Sequence, residues 1–301
     1  MNKIVIIGCG FVGATYAYAL LNDAKFVNEI VLIDVDNDKA IGEALDLCHC
    51  ITYCDTNIKV KVGNYSDCKD ANIVCITAGK NQIFGETRMD ALEKNSSIMK
   101  SIVDNVIASN FSGIFLIASN PLDVMTYITW KESGFPTNKV IGSGTSLDSA
   151  RLRYYISEHL GVSPKNIHGY VLGEHGDSQF IPWSSIKVLG DSIYNFLSQQ
   201  DLDNIALETR NAGYTIIEKK KATYYGIGKS LARITNAILG DENALIPVSV
   251  YDKDNDVYIS LPAIINYNGI SQIKKLKLTP DEQEKYMNSV NILKSAINKI
   301  I

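Results

Sequence analysis

The segment Gly8-Cys9-Gly10-Phe11-Val12-Gly13 puts three glycines into six residues, and its flanks decide what they are for. Before it lies an apolar, β-branched stretch at 4–7, the composition of a strand buried on both faces. After it a helical stretch runs to about residue 24. A second apolar run, "EIVLIDVD" at 29–36, carries Asp34, 21 positions beyond Gly13. Alone the glycine spacing is a weak signal. Between a strand and a helix, with an acid at that distance, it marks a dinucleotide-binding βαβ unit. Gly8 permits the tight turn, Gly10 lets the backbone approach a pyrophosphate, and Gly13 lets helix and strand pack closely. The helix start offers free N–H groups and a partial positive charge to phosphates. Asp34 suits ribose hydroxyls and repels a 2′-phosphate, and with Asp36 and Asp38 nearby and no arginine the pattern favours NAD over NADP.

The same N-terminus imitates a secretory signal: Lys3, an apolar run to Leu21, and Ala17-Tyr18-Ala19 in place of a cleavage site. Three glycines in six residues count against a long uninterrupted apolar helix, and Asp34 favours the nucleotide turn. Further apolar runs at 58–62, 73–77, 114–118 and 139–142 alternate with helical stretches, which predicts a doubly wound parallel sheet of the Rossmann type over 1–142.

Beyond 143 the rhythm changes, and 143–301 reads as an α+β substrate or catalytic domain. A helix is predicted over 147–160, stopped by Gly161, with strand-like pieces at 167–172 and 184–189. Ile227, Leu231, Ile234 and Ile238 recur at helical spacing before Gly240. Strands at 246–251 and 257–261 flank the turn "DKDND". Thr279 then caps a last helix with Pro280 at its first position and the stripe Met287, Val290, Leu293, Ile297, Ile300 as core or interface.

With 301 residues the chain has room for both parts. Its 29 basic and 33 acidic residues give a net charge of −4, and without a basic stripe nucleic acid is excluded as the main partner. Six cysteines lie in the first quarter, and Cys48-His49-Cys50 with Cys54 invites a zinc site. No second ligand pair follows at finger spacing, and "GEALDLCHC" also reads as an amphipathic helix with cysteine as a small apolar residue. No metal is therefore expected, and unpaired thiols point to a reducing compartment.

The chemistry centres on "GEHGDS" at 173–178 and "SLDSARLRYYISEHLG" at 146–161. By itself His175 among glycines and acids is ordinary turn composition. Asp148 and Arg151, three apart, share a helix face. A carboxylate hydrogen-bonded to His175 would set its tautomer and favour its protonated form, while a neighbouring guanidinium can grip a carboxylate through two parallel bonds.

Six ordered motifs, "GCGFVG", "TAGKNQIFGETR", "ASNPLDVMTY", "GSGTSLDSARLR", "GEHGDS" and "ATYYGIGKSLARI", resemble the L-lactate/malate dehydrogenase family across essentially the whole chain. The resemblance implies His175 as proton donor and acceptor, Asp148 as its orienter, and Arg151 as the clamp on the substrate carboxylate. It places Asn120 near the nicotinamide and the reacting oxygen, and Thr223 in the substrate pocket. NAD contacts fall on Gly8, Gly10, Phe11, Val12, Gly13, Asp34, Thr77, Ala78, Gly79 and Asn120. A mobile lid is implied over about 79–90, with Arg88 closing against the carbonyl to polarise it. Gln82 takes the position where an arginine would pair with a second carboxylate. Pyruvate and L-lactate are therefore expected as substrates, with malate or a broader L-2-hydroxy acid as the alternative, and Ile83 and Phe84 leave room for bulkier 2-oxo acids. A non-enzymatic NAD-binding protein is the alternative from another class, and it would have little need of His175, Asp148, Arg151 and Arg88 together. Arg153 and His168 match a pair that in bacterial members binds fructose 1,6-bisphosphate between neighbouring subunits. The chain starts at its first strand, without the N-terminal arm of animal members, and a cytoplasmic homotetramer without membrane contact is the expectation.

Overall fold

Alternating apolar strands and amphipathic helices have one economical arrangement, a parallel sheet covered on both faces. A computed structural model describes residues 1–80 and 88–300, with backbone alone at 88–91. The first half runs Lys3–Ile7 (β1), Phe11–Asp23 (α1), Glu29–Ile33 (β2), Asn37–Cys50 (α2), Lys59–Val62 (β3), Ile73–Ile76 (β4), Arg88–Ala108 (α3), Ile114–Ile117 (β5), Leu122–Ser133 (α4) and Val140–Gly142 (β6). These strands pair in parallel in the order β3-β2-β1-β4-β5-β6. That is the doubly wound order with its switch point between β1 and β4.

The second half continues with Ser146–Leu160 (α5), Ile167–His168 (β7), Lys187–Val188 (β8), Asp191–Ser192 (β9), Gln199–Lys220 (α6), Tyr225–Leu239 (α7), Ala244–Asp252 (β10), Val257–Asn266 (β11), Gly269–Ile273 (β12) and Pro280–Ile297 (α8). The expected strands near 167 and 187 are two-residue members of a small sheet, β7-β8-β9. The expected pair near 246 and 257 is a longer antiparallel hairpin that, with β12, extends the main sheet. Ser249 of β10 pairs antiparallel with Gly142 of β6, so among the described residues the main sheet has nine strands. A Cβ at Gly142 would lie 2.7 Å from Ser249 Cβ, so the join needs glycine's missing side chain.

Strand periodicity divides the core. Ile4 and Ile6 face a layer containing Tyr16, Leu20, Leu231 and Ile238, whereas Val5 and Ile7 face one containing Val103, Met125, Val290 and Leu293. A third cluster, including Leu152, Ile156, Ile167 and Ile205, fills the space between α5, α6 and the small sheet. Of the final-helix stripe Val290, Leu293 and Ile297 are buried, while Met287 stays 36% exposed. Cys48 Sγ donates to the Val60 carbonyl and Cys50 Sγ to that of Asp46, and all six thiols are unpaired. No helix among the described residues is long and apolar enough to cross a membrane.

Helix α7 packs the second half of the chain against the first. It lies on α1 so closely that a Cβ at Gly228 would meet the Thr15 carbonyl carbon at 2.9 Å and the Tyr16 nitrogen at 3.0 Å. The buried Tyr16 hydroxyl hydrogen-bonds Thr235 Oγ1 at 2.5 Å across the same contact. Gly228→Ala is expected to destabilise the protein by about 1–3 kcal/mol through overpacking. Urea unfolding should show a lower midpoint with an unchanged slope.

Candidate active site

The carboxyl ends of β1, β4 and β5 are fastened into one edge. Gly8, with φ +103°, sits so close to the chain after β4 that a Cβ would lie 2.5 Å from the Ala78 nitrogen. Thr77 Oγ1 donates to the Gly8 carbonyl at 2.6 Å, and Ser119 Oγ donates to the Ala78 carbonyl at 2.5 Å. A Cβ at Gly13 would collide with the Gly8 carbonyl, but one at Gly10 would meet nothing within 4 Å. That open face, beside a helix start with no side-chain cap and no acid in its first turn, is a cradle of the shape and polarity a pyrophosphate requires. Asp34 stands at the end of β2, where Oδ2 accepts the Cys9 N–H at 2.6 Å and Oδ1 that of Asp36 at 3.0 Å. Carboxylate oxygens carry further lone pairs for hydroxyl donors. These residues fit NAD.

Phe11 is 68% exposed and its ring stacks on Tyr224, with centroids 5.1 Å apart. The half-buried Thr223 precedes Tyr224 in the link between α6 and α7, so this stack joins the glycine turn to the expected substrate residue. Val12 is partly buried and packs against the core. Gly79 lies against Asn95, and exposed Asn120 ends the segment after β5.

Asp148 lies in the first turn of α5, where the helix dipole favours an anion. Its side chain is 3% exposed; Oδ2 accepts from His175 Nδ1 at 2.7 Å and Oδ1 from Arg151 Nη1 at 2.9 Å. An ionised carboxylate only accepts, so Nδ1 carries a proton and Nε2 is the nitrogen left to act. Arg151 Nε is buried and has no hydrogen-bond partner among the described residues, which leaves donor capacity on the guanidinium.

The loop carrying His175 is held from several sides. Val171 donates its N–H to Ser149 Oγ at 2.8 Å and accepts from Thr145 Oγ1 at 2.5 Å, tying the approach to α5. Gly173, with φ +94°, exchanges backbone bonds with Ser260 of β11. Ser178 Oγ closes the turn onto Glu174 Oε2 at 2.5 Å.

Burial pulls the His175 pKa down, but the Asp148 charge and hydrogen bond, with the Asp123 charge, outweigh it and hold the imidazole above its ordinary value. Burial pushes the Asp148 carboxyl up, yet the charges and hydrogen bonds of His175 and Arg151 leave it below the usual carboxylate range. The site favours the protonated imidazole beside an ionised carboxylate.

Two buried residues here escaped the sequence reading. Asn95, on α3, donates from Nδ2 to the carbonyls of Lys80 and Asn120 at 3.1 and 3.0 Å, and its Oδ1 accepts the Lys80 N–H at 2.9 Å. Asp123, on α4, accepts the His175 N–H at 2.7 Å through Oδ2 and the Ser249 hydroxyl at 2.6 Å through Oδ1. An aspartate inside the otherwise apolar "LDVMTYITW" was the one available trace of the latter.

Gln82, Ile83, Phe84 and most of the expected lid lie outside the described residues; Arg88 opens α3, and its side chain lies outside them too. Arg153 and His168 are apart from His175, lining a cleft of about 720 Å³ with Lys229, Arg233 and Asp23.

Residues 2–142 match the family model described as lactate/malate dehydrogenase, NAD binding domain, and residues 145–301 the corresponding alpha/beta C-terminal domain. The chain belongs to the lactate/malate dehydrogenase family. It is thereby an NAD-dependent oxidoreductase. Within the family it is 48% identical to an L-lactate dehydrogenase of Bacillus velezensis, over 99% of this chain and 96% of that protein. An L-lactate dehydrogenase 1 of Bacillus anthracis is 47% identical over 100% and 99%. A lactate dehydrogenase from a Medee basin deep-sea metagenome library superposes with a TM-score of 0.97, at 48% identity over 99% and 98% of the two chains. The minor L-lactate dehydrogenase of Enterococcus mundtii in its ligands-bound form gives 0.98, at 45% identity over 100% and 98%.

Asp148→Asn removes the charge that holds the His175 imidazole up against burial, so its pKa is expected to fall below its ordinary value. NMR titration of labelled histidine side chains reads this without any ligand.

Proposed function

We propose that this chain interconverts pyruvate and L-lactate with NADH and NAD. The observation that carries the reading is the single buried carboxylate of Asp148, which holds an acid/base imidazole and a carboxylate-binding guanidinium side by side. Near-half identity over the full length to L-lactate dehydrogenases supports the substrate assignment.

Gly8, Gly10, Phe11, Val12 and Gly13 would hold the pyrophosphate, Asp34 the ribose hydroxyls, and Thr77, Ala78, Gly79 and Asn120 the nicotinamide end. When bound, NADH supplies the hydride that reduces the carbonyl carbon. Arg151 binds the substrate carboxylate through paired N–H donors and so fixes the angle at which the carbonyl lies. His175 gives its Nε2 proton to the carbonyl oxygen, while Asp148 keeps Nδ1 protonated and the ring aligned. In the reverse direction neutral His175 takes that proton back. Arg88 polarises the carbonyl, Thr223 lines the pocket, and neutral Gln82 accepts a methyl where a second carboxylate would lack a cationic partner.

The same reading extends to regulation and assembly. Arg153 and His168 form an anion site for fructose 1,6-bisphosphate in a cytoplasmic homotetramer. Supporting it, Arg153 donates to the Ser149 carbonyl at 3.3 Å and has no carboxylate partner among the described residues. Lys229 and Arg233 add positive charge, each already paired, with Asp23 and with Glu242. Leu207, Tyr214 and Ile217 on α6, and Ile41 and Leu45 on α2, are exposed apolar side chains for further copies to cover.

Four measurements test this reading. His175→Asn should abolish turnover of NADH with pyruvate while NADH still binds by fluorescence titration; surviving turnover would remove His175 as the acid/base. Pyruvate reduction needs protonated His175, so its kcat should fall as pH rises through that raised pKa, and lactate oxidation should rise over the same interval. Gln82→Arg should move the preference from pyruvate toward oxaloacetate by about tenfold or more. An unchanged ratio would remove Gln82 from substrate selection. Pyruvate saturation curves with and without the sugar bisphosphate at neutral pH test the anion site, and superposed curves would eliminate it.

A further inference from the structure

The imidazole of His175 is held by Asp148, but its backbone is held by a different carboxylate, from the other half of the chain. We infer that Asp123 is a positioning residue for the acid/base. Its carboxylate fastens the His175 amide to helix α4 and sets a second negative charge against the imidazole. This rests on the acid/base role proposed above for His175.

The geometry is specific. The Asp123 residue is 2% exposed, and both carboxylate oxygens are used. Oδ2 accepts the N–H of His175 itself at 2.7 Å, and Oδ1 accepts Ser249 Oγ–H at 2.6 Å. A buried carboxylate without a cationic partner is costly, and among the described residues no lysine or arginine pairs with Asp123. What compensates it is these two hydrogen bonds, its place in the first turn of α4, and the charge of His175. The groups facing it are Ser249 from β10, and His175 and the like-charged Glu174 from the loop. Burial pushes its carboxyl up to about 6, against the hydrogen bonds from Ser249 and His175 and the charge of His175.

The placement gives this carboxylate its consequence. Asp123 lies three residues after Asn120, in the helix that begins at Leu122, while Ser249 sits at the join of β10 and β6. One side chain therefore sets the distance between the edge that receives the nicotinamide and the histidine that moves the proton. A misplacement of about 1 Å in such a pair is enough to cost on the order of a hundredfold in rate. A negative charge near the imidazole also raises its proton affinity, so a merely structural aspartate and a positioning one differ in their effect on His175 titration.

The test uses the full chain carrying Asp123→Asn and Asp123→Ala. Asp123→Asn is isosteric and keeps an oxygen acceptor for the His175 N–H while removing the charge, so it reads the electrostatic part even where the alanine variant fails to fold. The His175 NMR titration should shift downward in Asp123→Asn. With pyruvate, kcat should fall about tenfold or more in Asp123→Ala and substantially less in Asp123→Asn, with NADH affinity unchanged within about twofold. An unmoved His175 titration in Asp123→Asn overturns the inference. So does a loss of NADH affinity in step with kcat in both variants, which marks a general structural role. Absence of turnover in the unsubstituted protein would sink the proposed reaction instead, and the titration would still decide the Asp123–His175 link.

Discussion

The Asp148 carboxylate, 3% exposed, accepts from His175 Nδ1 and Arg151 Nη1 at 2.7 and 2.9 Å, and the rest of the site is arranged to make that burial tolerable. A lone buried carboxylate would take up a proton. The donors of His175 and Arg151 and a helix start favour its ionised form, and it in turn raises the proton affinity of the imidazole and keeps its ring oriented. Breaking such a buried cluster on one side typically costs about 3–5 kcal/mol. The same group that makes the chemistry available thus also holds α5 against the loop that carries His175.

This cluster only matters because the sheet delivers it to the right edge. Parallel strands place the ends of β1, β4 and β5 together, and short side chains finish the joint: Thr77 onto Gly8, Ser119 onto Ala78, Asn95 onto Lys80 and Asn120. The β10–β11 hairpin then adds to β6 through Ser249 and Gly142, and β11 holds Gly173 through Ser260. The second half is therefore an extension of the first half's sheet at its edge. That continuity sets the glycine turn and the loop that carries His175 along one sheet.

The sequence revealed most where the signal was local. Glycine spacing, the acid 21 positions on, and the three-residue step from Asp148 to Arg151 each report a turn or a helix face directly. Helix α6 passed unrecognised because its buried positions, Leu202, Ile205, Thr209 and Ala212, mix polar and small residues with apolar ones. The strand-like reading at 167–172 overshot because beyond His168 the chain is held by isolated bridges and side-chain bonds. Asp123 and Asn95 were hidden for a different reason. Their partners stand 52 and 25 positions away, and no periodicity carries information over that distance. The charge of Asp148 was legible; the second carboxylate behind the same histidine was not.

A crystal structure with NADH and oxamate, the amide analogue of pyruvate that accepts no hydride, tests the central claim most directly. The account predicts the oxamate carboxylate on paired Arg151 N–H donors. It predicts the carbonyl oxygen within about 2.6–3.2 Å of His175 Nε2, with the nicotinamide against the opposite side of that carbonyl. Oxamate seated away from Arg151, or His175 turned off Asp148 with NADH in place, would contradict it.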